Sequence, residues 1–163
     1  MRRSERDSNR RGNALVEFAI AFTFISVLFT GVFQFGYTFY LYNNLLTNIR
    51  AGARYAAQKS YTPGPGTTVS NPVPQSAYVA AVKNMVVYGT PNPTDASRPV
   101  VPDLTTANVE VVPSVDSNGI PQSITVRISR ANPFTINAVV ASKRLVGKPS
   151  VTFQYTGIYS AVP

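Results

Sequence analysis

The 163-residue chain has no cysteine and no histidine. Without cysteine no disulfide can brace it and no lipid can be attached through a thiol, so it must be held by its own apolar segment. Without histidine as well, Ser-His-Asp and Cys-His arrangements and the usual zinc ligand sets are excluded. Acids are scarce: seven in all, and beyond residue 60 only Asp95, Asp103, Glu110 and Asp116, none forming a close pair in sequence. Nothing therefore selects a working pair of carboxylates, and no glycine-rich phosphate motif is present. No enzymatic role, metal or cofactor is expected. The longest deficit is of charge: after Glu17 no charged side chain occurs until Arg50, leaving 32 uncharged residues from Phe18 to Ile49.

A hydrocarbon core about 30 Å thick needs roughly 20 apolar residues in helical form, and Phe18 to Tyr42 supplies them with residues to spare. This predicts a membrane-spanning helix. Five arginines (Arg2, Arg3, Arg6, Arg10, Arg11) against Glu5 and Asp7 precede it; that excess predicts an N-terminus on the cytoplasmic side and everything after the span outside. Aromatic residues crowd the far end (Phe33, Phe35, Tyr37, Phe39, Tyr40, Tyr42), where amphipathic rings suit the boundary of lipid and water. A cleaved secretory signal is the competing reading. Its apolar region would be about 7 to 15 residues with a small-x-small cut close behind, whereas here the nearest such triplet, Ala51-Gly52-Ala53, lies well past the run.

Glu17 stands alone at the start of this run. A carboxylate at the middle of a membrane helix costs roughly 2.5 to 3.5 kcal/mol and less near an end, so a partner is expected. Gly12-Asn13-Ala14-Leu15-Val16-Glu17, at the junction of a basic leader and an apolar helix, resembles the processing site of type IV prepilins. The fuller wording Arg11 to Ala19 resembles the TadE-like minor pilins of tight-adherence (Tad) pilus systems, and Arg50-Ala51-Gly52-Ala53-Arg54-Tyr55-Ala56 resembles a second element of that family. The resemblance implies that a membrane peptidase cuts between Gly12 and Asn13. Such a cut frees an α-amino group, with an ordinary pKa near 8, four residues before Glu17. The two could pair within one subunit or between subunits. TadE-like chains often carry proline at or near Thr23, and this chain does not.

Within the span Ala19, Thr23, Ser26, Thr30 and Gln34 form one small or polar stripe. In lipid such a stripe favours packing of helix on helix; alternatively the hydroxyls bond their own i−4 carbonyls. No proline occurs from Asn43 to Lys59, and Leu46, Ile49, Ala53 and Ala56/Ala57 give an apolar face opposite Asn43, Thr47, Arg50, Arg54 and Gln58, so the helix is expected to continue to about residue 59. The small residues Gly52 and Ala53 would let a sheet or a neighbouring helix approach closely.

Thirteen prolines and ten glycines, mostly after Tyr61, predict a turn-rich outer part. Residues 61–75 read as a linker or surface loop, and Ser76 as the cap of a short helix, Ala77 to Tyr88, ended by Gly89, with Tyr78, Val82, Met85 and Val86 on its apolar face. Strand patterns follow at Ala107 to Val112, Ser123 to Ser129 and Val151 to Thr156, the first two joined as a hairpin around Asp116 to Gly119. Residues 131–148 read as a loop with a short helix near Ile136 to Ser142. The expected fold class is α+β: a leader (1–12), a long N-terminal helix (13–59) spanning a membrane in its first half, and an exported head (60–163) with an antiparallel sheet of three or four strands packed on the helix, as in pilins.

The formal net charge of +8 is partly an addressing effect, since the leader's five arginines less two acids supply +3 of it. The remainder is spread out and reads first as a solvated surface. Nucleic acid is not expected as a partner, for no basic and aromatic stripe is evident. The expected role is a minor pilin or pseudopilin of the inner membrane, whose partners are a prepilin peptidase, other pilin subunits, pilus assembly proteins and the lipid bilayer, reaching the pilus or cell surface after assembly. The alternative is a fixed single-pass membrane protein whose head binds a partner.

Overall fold

In the computed structural model, residues 3–68, 72–138 and 141–159 are described, residues 3–12 as backbone only. One helix dominates: α1, Arg3–Gln58. It begins well before Asn13. Extending a helix costs far less than nucleating one, a single glycine costs only about 1 kcal/mol, and no proline precedes Pro63, so nothing stops the backbone at Gly12. The charges of the leader lie outside the described side chains.

The last third of α1 is where the head folds. Leu41, Leu45, Ile49, Ala53 and Ala56, spaced four or three apart, are all buried, with Leu45, Ile49, Ala53 and Ala56 fully enclosed. The face is as expected at Ile49, Ala53, Ala56 and Ala57 and differs at one position. Leu45 takes the core place assigned to Leu46, which is half-buried, because the seam continues downward to Leu41. Asn43, Thr47, Arg50, Arg54 and Gln58 are exposed, as the periodicity predicts. Full burial of a leucine or isoleucine contributes about 1.5 to 3 kcal/mol, so Leu45 and Ile49 are the main apolar anchors of head to helix.

Across this face packs α2, Ser76–Tyr88. Its N-cap is Gln75, in extended conformation and without a side-chain cap bond. Ser76 is therefore the first helical residue and not the expected cap. The C-terminal end is as expected: Gly89 adopts φ 72°, and its N–H donates to the Met85 carbonyl, a left-handed closure that glycine makes without a Cβ clash. Tyr78, Ala81, Val82, Val86 and Val87 face the core, while Met85 is half-buried.

The sheet has three antiparallel strands in the order β1-β2-β5: β1, Val109–Val115, β2, Pro121–Ile128, and β5, Ser150–Gln154. A 3-10 turn, Thr106–Asn108, precedes β1, so this strand starts two residues later than expected. Ile124, Val126 and Ile128 of the central strand alternate into the core. In the β1–β2 connection the Asp116 carboxylate accepts the N–H groups of Asn118 and Ile120, each at 2.9 Å, which fixes a turn longer than two residues. Glu110 lies directly across from Arg127 and takes a two-pronged hydrogen bond from it, at 3.0 and 2.9 Å.

Residues 131–148 depart most from expectation. In place of a short helix there is a second antiparallel pair, β3, Phe134–Asn137, and β4, Ser142–Leu145. Phe134 and Ile136 are buried, and their period of two decides for strand. The 61–75 segment, expected as a linker or surface loop, is tied into the head at its start. Tyr61 is fully buried, and its backbone pairs with Tyr159, while Pro63 pairs with Pro74.

Tyr61 marks how α1 ends. The last carbonyls of a helix have no partner inside it. Here the head supplies partners: the Tyr78 hydroxyl donates to the Ala56 carbonyl at 2.6 Å, and the Thr156 N–H donates to the Ala57 carbonyl at 2.9 Å. Just beyond, the Tyr155 hydroxyl donates toward the Lys59 and Ile158 carbonyls and accepts the Tyr61 N–H at 2.8 Å. The rings of Tyr78 and Tyr155 meet that of Tyr61 edge-on at 5.5 and 6.2 Å. Burial, reinforced by Tyr159 and Tyr155, pushes the Tyr61 phenol up to about 12; burial likewise raises that of Tyr78.

Candidate functional site: the uncovered part of the helix

Below Leu41 the helix has almost no cover. Phe29, Val32 and Phe35 are 72, 73 and 82% exposed, against 0% for Leu45 and Ile49 about three to six turns later. From Phe18 to Tyr40 the bare segment measures about 34 Å at 1.5 Å per residue, against about 30 Å for a hydrocarbon core. Among the described residues α1 is the one helix long and apolar enough to cross a membrane, and the fold is compatible with a single-pass protein. Water would not tolerate so large an apolar surface without a partner. Of the far-end aromatics Phe33, Phe35, Phe39 and Tyr40 are exposed, while Tyr37 and Tyr42 are half-buried against the head.

At the near end Asn13 and Glu17 are both exposed. Four residues apart on a helix, they lie on one face about 6 Å apart along the axis. Among the described residues the ion pair is that of Arg127 with Glu110, and Glu17 has none among the described side chains. The surroundings of Gly12 lie outside the described side chains.

The stripe is exposed at Ala19, Thr23 and Thr30 and half-buried at Ser26 and Gln34, and its hydroxyls are occupied. Thr23 donates to the Ala19 carbonyl, Ser26 to Phe22 and Thr30 to Ser26, each at 2.8 Å. The reading in which they bond their own backbone is therefore the observed one. What the stripe offers a neighbour is shape, since its side chains are short and its donors used. Gln34, at its upper end, instead reaches across to the Ala141 carbonyl at 2.9 Å. A shallow groove of about 540 Å³ runs along Phe22, Ser26, Thr30 and Gly31 beneath that contact.

Gly52 and Ala53 serve the head. A Cβ at Gly52 would overlap Val86 Cγ2 of α2 and lie 3.6 Å from the Val82 carbonyl oxygen, so the helices cross where one of them has no side chain. Ala53 is fully buried beside it.

The bare apolar segment, the single acid at its start and the glycine crossing at its far end thus lie on one uninterrupted helix. Residues 12–54 match the family model of TadE-like proteins. The TadE-like segment takes in Gly12, Asn13, Glu17, the stripe, Gly52 and Ala53, and covers about a quarter of the chain. No curated protein and no solved structure matches the chain. The TadE-like family is a structural family associated with the Tad pilus. Among the described residues no group of three or more acids, histidines or cysteines could hold a metal.

Two features of this region had little or no signal in the sequence. The Gln34–Ala141 contact joins residues 107 apart, and no local pattern announces it. The Tyr78 bond to Ala56 has a weak signal only: a tyrosine on the apolar face of a helix, whose hydroxyl needs a partner once buried.

Proposed function

We propose that the chain is a minor pilin or pseudopilin: inserted with its N-terminus inside, trimmed by a prepilin peptidase between Gly12 and Asn13, and then assembled through α1 into a Tad pilus or its base. The observation that carries this reading is the bare apolar helix with one acid, Glu17, placed a single turn after Asn13 in a segment that matches TadE-like proteins. In the bilayer the bare face meets lipid. In an assembly it meets the helices of other subunits, and the Ala19, Thr23, Ser26 and Thr30 stripe favours close approach because its hydroxyls are already bonded to backbone.

Glu17 then has a defined task. An uncompensated charge buried among packed helices costs about 3 to 5 kcal/mol, and the amino group freed at Asn13, in the same or a neighbouring subunit, compensates it. This pairing requires the cut to come first. A head anchored by Leu45 and Ile49 travels with the helix and is displayed outside.

The test has two arms. N-terminal sequencing of the membrane-extracted protein, from cells with an active prepilin peptidase, is expected to begin at Asn13; an intact leader would refute processing. Glu17→Gln is expected to insert and be trimmed normally but to co-purify poorly with pilus components. Equal recovery of mutant and wild type would favour a fixed single-pass protein, for which loss of the charge carries no penalty.

A further inference from the structure

The β3–β4 hairpin stands apart from the three-stranded sheet and is aimed at the bare helix. Its position relative to a bilayer can be worked out from the chain itself. With Glu17 at the inner edge of the hydrocarbon, Gln34 lies 17 residues on, roughly 25 Å up an axis that leaves the hydrocarbon at about 30 Å. Ala141, bonded to Gln34 at 2.9 Å, is therefore level with the outermost part of the hydrocarbon. From Ala141 the chain enters β4 and runs away from the span, since Leu145 packs on the core that begins at Leu41. Two to three strand residues at about 3.3 Å each lift Lys143 and Arg144 some 7 to 10 Å. That puts them about 32 to 35 Å from Glu17, within the headgroup layer, which adds some 5 to 7 Å on each side. Both are exposed, and neither has an ion-pair partner among the described residues.

We propose that this hairpin is a membrane-resting foot: Lys143 and Arg144 bind the phosphates of anionic lipids in the outer leaflet and hold the head against the bilayer before assembly. The idea rests on the reading of α1 as a membrane span. Charge and depth agree independently. The two cations occur on the strand that the Gln34 contact brings to headgroup level, and Ser142, between them and Ala141, is uncharged. Release of the foot accompanies transfer of the subunit out of the membrane, when the phosphates are left behind.

The test uses the full chain reconstituted in vesicles. Because the sequence has no cysteine, Ser142→Cys gives a single site for an environment-sensitive fluorophore, and Ser26→Cys gives a matching site in the span. Vesicles of phosphatidylcholine alone, or mixed with phosphatidylglycerol, carry spin-labelled lipids that quench at headgroup or mid-chain depth. The expected result is headgroup-level quenching at Ser142 in the mixed vesicles, and mid-chain quenching at Ser26 in both. Lys143→Gln with Arg144→Gln is expected to lower the ratio of resting to lifted heads by roughly fivefold per residue, about thirtyfold together. Salt at about 1 M, where the Debye length is about 3 Å, should do the same without any mutation. Quenching at Ser26 but not Ser142 would overturn the foot and leave the span intact; quenching at neither would overturn both. Quenching at Ser142 that is indifferent to phosphatidylglycerol, to the double variant and to salt would overturn the role of the phosphates.

Discussion

Gly52→Ala sets two physical effects of opposite sign against each other. On an isolated helix the change stabilises by about 0.8 to 1.0 kcal/mol, because alanine loses less backbone freedom than glycine. Here the new methyl would overlap Val86 Cγ2. Val86 is fully buried, and a valine in a helix is held to one χ1 rotamer about nine times in ten, so it cannot swing aside without a clash elsewhere. Overpacking a filled core costs about 1 to 3 kcal/mol. The crossing should therefore outweigh the propensity, with a net loss of about 1 kcal/mol and a ceiling near 2. For a head of this size that lowers Tm by about 4 to 8 °C per kcal/mol, measurable by near-ultraviolet circular dichroism of the full chain in detergent. Pairing it with Val86→Ala, which opens the space, should give a double variant more stable than the sum of the two by at least about 0.5 kcal/mol. A Gly52→Ala protein that melts higher than wild type would refute the close crossing of α1 and α2.

The other expectations concern the tyrosines and the division of the chain. Tyr61→Phe removes a buried hydroxyl with no hydrogen-bond partner among the described residues and should be neutral or stabilise by about 1 kcal/mol, whereas Tyr78→Phe orphans the Ala56 carbonyl and should destabilise by a similar amount; urea melts of the two variants must shift in opposite directions or differ clearly in size. The phenols of Tyr61 and Tyr78 are raised by burial, that of Tyr61 to about 12, so the folded head binds their protons more tightly than the unfolded chain. Stability should stay level up to about pH 10 and fall between about pH 10 and 12, with the phenolate absorbance of Tyr61 and Tyr78 appearing together with unfolding; ionisation of these two near pH 10 without unfolding, read as the absorbance lost in Tyr61→Phe and Tyr78→Phe, would contradict it. A fragment beginning at Tyr61 lacks Leu45, Ile49, Ala53 and Ala56 and should melt without cooperativity, while one beginning at Asn43 keeps these four residues and should melt sharply; identical melts would mean that the helix is not part of the core.

The long helix was legible because no proline interrupts it and because its outer part has a clear 3.6-residue period. The same period misplaced one leucine: Leu45 and Leu46 are equally apolar, and the choice between them depended on Leu41, which the sequence assigned to lipid. Strands β1, β2 and β5 were legible from alternation, with the start of β1 misjudged because a 3-10 turn at Thr106 resembles its continuation. The β3–β4 pair was not. Phe134 to Asn137 is only four residues long, and the alanines and valines that follow suit a helix equally well. Tyr61 escaped notice because it sits among prolines and glycines, while its burial depends on Tyr78, Tyr155 and Tyr159, far along the chain. In the candidate site, Glu17 and Gly52 were visible as exceptions to their surroundings. The Gln34–Ala141 contact was invisible because it depends on where an unrecognised hairpin points.

The end of α1 is closed by Tyr78 and Thr156, residues of the head, with no proline or glycine of its own. The mechanical consequence concerns traction. A pull along the helix axis reaches the head through Leu41, Leu45, Ile49, Ala53 and Ala56 and through the terminal bonds at Ala56 and Ala57 together. These contacts lie in line with the pull and are loaded in shear, so they must slide as a set. A sideways pull would open them one at a time from Leu41. The joint is therefore strong along the axis and weak across it, and a subunit pulled by its helix keeps its head.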